Sequence, residues 1–85
     1  MDNMERHPSD DYAGNSSDQE LLSFQFPIEH KMFYIDLKAN ANGLYVKISE
    51  KSGGRRHNVL VPASGLRQVC EALNEALQKV DQAAI

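Results

Sequence analysis

At 85 residues, 41% hydrophobic and 25% charged, the chain has room for one domain and the composition of a soluble globular protein, not of a disordered or membrane one. No apolar run approaches the roughly 20 residues of a membrane span, and the acidic, Ser/Asn-rich start is unlike a signal peptide, so an intracellular protein is expected, in nucleus or cytoplasm. A single cysteine, Cys70, excludes an internal disulfide framework, and His7, His30 and His57 are too scattered for a zinc site, so neither a metal nor a cofactor is expected.

The net charge of −3 speaks at first against a nucleic-acid partner, because phosphate binding wants a basic footprint. The charge is unevenly spread, however. Residues 1–23 hold Arg6 against Asp2, Glu5, Asp10, Asp11, Asp18 and Glu20, a balance of −5. Residues 24–80 hold Lys31, Lys38, Lys47, Lys51, Arg55, Arg56, Arg67 and Lys79 against Glu29, Asp36, Glu50, Glu71 and Glu75, a balance of +3. An acidic arm is therefore attached to a mildly cationic domain.

Residues 1–17 contain few apolar side chains and predict a flexible tail, drawn here as residues 1–19. Leu22, Phe24, Phe26 and Ile28 then alternate with Ser23, Gln25 and Pro27, the period of a half-buried strand, and Pro27 belongs on an edge or at a bend. In the next strand Phe33, Ile35 and Leu37 oppose Tyr34, Asp36 and Lys38. Residues 39–43, Ala-Asn-Ala-Asn-Gly, read as a hairpin turn, because Asn and Gly tolerate positive φ. Leu44, Val46 and Ile48 alternate with Tyr45, Lys47 and Ser49 in a third strand. Residues 51–56 form a cationic Gly-Gly turn into a short fourth strand over residues 57–61, which Pro62 stops.

From Ser64, a plausible N-cap, the period changes. Leu66, Val69, Cys70, Leu73, Ala76, Leu77 and Val80 recur at three- and four-residue steps, an apolar stripe on a helix of about 17 residues that should cover the sheet. Cys70 reads as a small buried hydrophobe in that stripe. The result is an α+β domain over residues 20–81, a four-stranded antiparallel sheet followed by one helix, with residues 82–85 as a short end. One helix covers such a sheet only in part, so pairing with a second copy through the helices, in a homodimer, is expected.

Residues 31–50, KMFYIDLKANANGLYVKISE, resemble the signature hairpin of the PUR repeat of the purine-rich-element-binding (Pur-alpha-like) family. The landmarks are Lys31, Phe33, Tyr34, Asp36, Lys38, Asn40, Gly43, Tyr45, Ser49 and Glu50, and Asn-Val-Leu-Val-Pro at 58–62 is similar to the end of the same repeat. The resemblance implies a curved, whirly-like ββββα unit that intertwines with a second repeat and binds single-stranded, purine-rich DNA or RNA, in transcription or RNA regulation. By the same resemblance Lys38 and Asn40 meet phosphate and base, and Tyr45 stacks on or wedges between bases. Ala41 and Asn42 stand where many nucleic-acid-binding repeats carry arginine, which implies contacts that are more hydrogen-bonding than ionic.

By alternation Lys38 and Lys47 share a face with Tyr34 and Tyr45, the mixture of cations and aromatics that a stacking platform needs. The same spacing also fits a solvated strand face with ordinary Tyr/Lys packing. Arg55, Arg56 and His57 beside the Gly-Gly turn can close over a phosphate. The candidate nucleic-acid site is thus Lys31, Lys38, Asn40, Asn42, Tyr45, Lys47, Arg55 and Arg56, and the candidate dimer helix is Leu66, Val69, Cys70, Leu73, Leu77 and Val80. Asp36 has no second carboxylate, nucleophile or base at a useful spacing, so no enzyme and no small-molecule substrate is expected. The alternative is a dimerisation or protein-interaction module with weak or no nucleic-acid binding.

Overall fold

A computed structural model of the chain describes residues 18–83. Four strands, β1 (Gln19–Ile28), β2 (Lys31–Asn40), β3 (Gly43–Ser52) and β4 (Arg55–Pro62), run directly into one helix, α1 (Ala63–Ala83). The strands form an antiparallel meander in the order β1-β2-β3-β4. The expected α+β architecture is present; of the tail expected at residues 1–19, residues 1–17 lie outside the described residues and Gln19 already opens β1.

Each hairpin closes through two residues, and positive φ falls on glycines in one loop and on a residue with a side chain in another. Gly53 and Gly54 both take positive φ, 56° and 85°, as a type I′ loop requires, and glycine meets that demand without strain. Between β1 and β2 the same demand falls on Glu29, at φ 57°, where a side chain is unfavourable. Pro27 lies opposite Met32 on the edge strand β1, where a missing N–H is tolerated, and the strand runs one residue past it.

The register sorts the side chains onto two faces, because residues directly opposite each other point the same way. On one side Phe24 faces Ile35, Leu37 faces Val46 and Ile48 faces Val59. The Phe26 and Phe33 rings stack there with centroids 6.2 Å apart. On the other side stand Ser23, Asp36 and Lys47 in one row, and Lys38 and Tyr45 in the next. A β-bulge between Glu20 and Leu22 interrupts β1.

Burial inverts the usual pattern. The polar face is the enclosed one: Ser23, Asp36, Lys38, Lys47 and Ser49 are all buried, whereas Val46 is the buried hydrophobic residue among those described. On the apolar side Leu22, Ile28, Leu44 and Val59 remain exposed.

The helix departs from expectation in three ways. It begins at Ala63, so Ser64 sits within its first turn and is not the N-cap, and it runs for 21 residues. It touches β3 and β4 but buries none of its residues, so it does not cover its own sheet. Leu66 and Val69 are half-buried near its start, while Leu73, Leu77 and Val80 are 63%, 55% and 59% exposed. Cys70 is likewise exposed within the single chain, not a buried hydrophobe. The reason is geometric: a helix that continues straight out of β4 with no loop has no connection long enough to fold back over the sheet.

Candidate nucleic-acid interface

The polar face is built on the central strands. Tyr34, Asp36 and Lys38 project from β2, and Tyr45, Lys47 and Ser49 from β3, with Lys38 opposite Tyr45, Asp36 opposite Lys47 and Tyr34 opposite Ser49. Asp36 is 3% exposed and accepts a hydrogen bond from the Ser23 hydroxyl at 2.6 Å, so the carboxylate is held from β1 and faces a lysine on β3. Such a row fixes the positions of the cations around it.

At one end of this face the β2–β3 turn closes a cavity of about 320 Å³ lined by Asp18, Asn40, Asn42, Leu44, Tyr45 and Leu60, among others. The backbone N–H of Asn42 donates to Asn40 Oδ1 at 2.8 Å, an Asx-type contact that stiffens the turn. The Tyr45 hydroxyl donates to Asp18 Oδ2. At the other end the Arg56 guanidinium lies 5.0 Å from the centre of the Tyr34 ring. Lys51 stands directly opposite Arg56, two cations side by side.

Lys38, Asn40, Asn42, Tyr45, Lys47 and Arg56 therefore come together along one face and its turn. Lys38 and Lys47 lie within it at 6% and 7% exposure, so this is not the solvated strand face that their spacing alone would also allow. Lys31 and Arg55 fall on the opposite side by register. Lys31 Nζ lies 3.0 Å from Glu50 Oε1, and His57 Nδ1 lies 3.3 Å from Glu50 Oε2, one carboxylate joining three strands. The hydrogen bond from Lys31, then the charges of Lys31 and His57, hold Glu50 below the usual carboxylate range against an opposing desolvation. The Arg55-Arg56-His57 cluster is thus divided by the pleat.

Three residues of this surface escaped the sequence reading. Lys51 falls in the turn expected at residues 51–56, whereas the structure keeps it on β3, on the polar side with Lys47. Asp18 falls in the tail expected at residues 1–19, and Glu20 opens the expected domain without a face of its own; continued alternation from Leu22 sends both to the apolar face, and the bulge at Leu21 reverses them. The signal was the Leu-Leu pair that breaks the period.

The family described as "PurA ssDNA and RNA-binding protein" matches residues 18–84. The chain belongs to the PurA family. Among its PurA-related proteins, "Transcription factor Pur-alpha 1" of Arabidopsis thaliana is 47% identical over 58 residues, 68% of this chain and 20% of that protein. The human "Transcriptional regulator protein Pur-beta" is 40% identical over 47 residues, 55% of this chain and 15% of that protein. "Transcriptional activator plp-1" of Caenorhabditis elegans is 21% identical over 66 residues, 78% of this chain and 29% of that protein. The chain thus spans a fifth of the length of its Arabidopsis PurA relative. No solved structure gives a significant match. Among the described residues no group of His, Cys, Asp and Glu could hold a metal ion, and no helix is long and apolar enough to cross a membrane.

Proposed function

We propose that this chain binds single-stranded, purine-rich DNA or RNA along the polar face of its sheet, as a homodimer of PUR repeats, in the service of transcription or RNA regulation. The observation that carries the reading is the placement of two tyrosines and four cations, Lys38, Lys47, Lys51 and Arg56, on one face with an open cavity at its end. From Tyr45 to Lys51 is six residues of strand, about 20 Å at ~3.3 Å per residue, a length that suits a few nucleotides. Lys51 and Arg56 contact phosphate, where an anion relieves their mutual repulsion. Lys38 and Lys47 contribute positive potential from within the face, Tyr45 stacks on a base, and Asn40 and Asn42 contact bases at the turn. The reaction is capture of an unpaired strand with no chemical step.

Dimerisation rests on a separate observation, the exposure of Leu73, Leu77 and Val80 on a helix that buries nothing of its own. A stripe of that kind is satisfied by a second copy in closed twofold association. The same exposed stripe, with the net charge of −3, favours the second reading, a protein-interaction module.

Fluorescence anisotropy with a labelled purine-rich strand of about 12 nucleotides, at low and moderate salt, separates the two. Binding should weaken with salt; Arg56→Ala should reduce the salt slope by about one contact, and Tyr45→Ala should cost roughly 1–3 kcal/mol with the slope unchanged. No binding at either salt would leave the interaction module as the function.

A further inference from the structure

The acidic start of β1 lies on the polar face and engages the groups that this face offers to a strand. Lys38 stands opposite Glu20 on one side and opposite Tyr45 on the other, so one row crosses β1, β2 and β3 as carboxylate, cation and phenol. The Tyr45 hydroxyl donates to Asp18 Oδ2 at the end of the same row. Carboxylates and phosphates are both anionic acceptors, and they compete for the same donors and the same positive charge.

Two features make this contact reversible. β1 is an edge strand, and before its bulge it pairs with β2, among the described residues, only through Gln19 with Ala39 and Glu20 with Lys38. These pairs can open without disturbing the ladder from Leu22 to Ile28. The seat is also imperfect. Asp18 Oδ1 and Glu20 Oε1 are each enclosed without a hydrogen-bond partner, so closing the contact desolvates two carboxylate oxygens that opening it returns to water.

We propose that residues 18–20 are an autoinhibitory strap, an internal stand-in for the phosphates of an unpaired strand, which leaves the edge of β2 when the strand binds. This step rests on the nucleic-acid reading above and adds a regulator to it. In the closed form the strap holds the Tyr45 hydroxyl and sets a carboxylate beside Lys38; in the open form the phenol and the cation pass to the strand. Binding is then an exchange of one anion for another, and the apparent Kd exceeds the intrinsic one by the inverse of the open fraction.

The test titrates a labelled purine-rich strand of about 12 nucleotides by anisotropy at moderate salt against the parent, Asp18→Asn/Glu20→Gln and Glu71→Gln/Glu75→Gln, with thermal melts to verify folding. Each variant removes two acidic charges from the net −3, but Glu71 and Glu75 are exposed on α1, outside the strap row, so the comparison separates the strap from general charge. With the strap open about a tenth of the time in the parent, Asp18→Asn/Glu20→Gln should bind roughly tenfold tighter. Glu71→Gln/Glu75→Gln should stay within about twofold, because exposed charges are largely screened at that salt. Amide hydrogen exchange on the parent needs no variant: the backbone N–H groups that join residues 18–20 to β2 should exchange faster with the strand bound, while those joining β2 to β3 should slow. Equal gains in both variants, no gain in the strap variant, or slower exchange at the strap on binding overturns the strap and leaves the nucleic-acid reading intact. If neither the parent nor any variant binds the strand, the nucleic-acid reading falls, and the strap with it.

Discussion

The double substitution Leu73→Ala/Leu77→Ala puts the paired state of the helix to a quantitative test. In the single chain both side chains face water, at 63% and 55% exposure, so truncating them there is a surface change worth no more than about 0.5 kcal/mol. If a second copy covers the stripe, the exposed fraction of each leucine is buried on association. Full burial of a leucine contributes about 1.5–3 kcal/mol, so the fraction still open gives roughly 1–2 kcal/mol for Leu73 and slightly less for Leu77. Both chains carry the change, and a cavity is left behind, so the dimer should weaken by at least 4 kcal/mol, about a thousandfold in dissociation constant. Alanine preserves helix propensity, which keeps the comparison on packing. Light scattering across a concentration series reads the assembly, and urea unfolding at two protein concentrations reads the coupled stability. A parent chain that stays monomeric throughout, with a variant that keeps the parental urea midpoint, would refute the reasoning.

Ser23→Ala should cost about 1–3 kcal/mol, because it removes the donor 2.6 Å from a carboxylate that is 3% exposed; a change in urea stability below the lower bound would show that Asp36 is held by other groups. Glu29→Gly should stabilise by up to about 1 kcal/mol, several degrees in Tm, since a left-handed non-glycine residue costs roughly 1–2 kcal/mol and glycine's own entropy offsets part of the gain. Glu50 has a lowered folded pKa, so its contribution to stability is present above the ordinary glutamate value of about 4.3 and is lost as pH falls through the folded value. The advantage of the parent over Glu50→Gln should therefore shrink as pH falls through and below the ordinary glutamate value in urea titrations, and a constant difference would show that the contact is not electrostatic.

The strands were legible because each carries its period on uninterrupted residues. Phe33, Ile35 and Leu37 against Tyr34, Asp36 and Lys38 determine both the strand and its two faces, and the observed register pairs them as the alternation requires. The placement of Lys38 and Lys47 with the tyrosines follows from that parity alone. What the period does not encode is depth: the same alternation describes a face open to water and one in which Ser49 is 1% exposed. The helix was legible as a stripe but not as a packing partner, since the stripe shows which residues seek an apolar surface and not whose surface they find. Its start was misplaced because Ser64 satisfies a capping rule that the direct run from Pro62 into Ala63 makes idle.

The bulge at Leu21 shows how one residue determines the chemistry of the site. Had β1 kept its period, Glu20 and Asp18 would lie with Leu22 and Leu37, and the Tyr45 hydroxyl would face a pocket without a carboxylate. The inserted residue returns Glu20 to a position opposite Lys38 and brings Asp18 to Tyr45. Under the proposed function assembly and recognition use different surfaces, the helix stripe for a second copy and the polar face of the sheet for the unpaired strand. A substitution in the stripe should alter affinity for nucleic acid only through the fraction of chains assembled, whereas Tyr45→Ala on the polar face should weaken it at any degree of assembly.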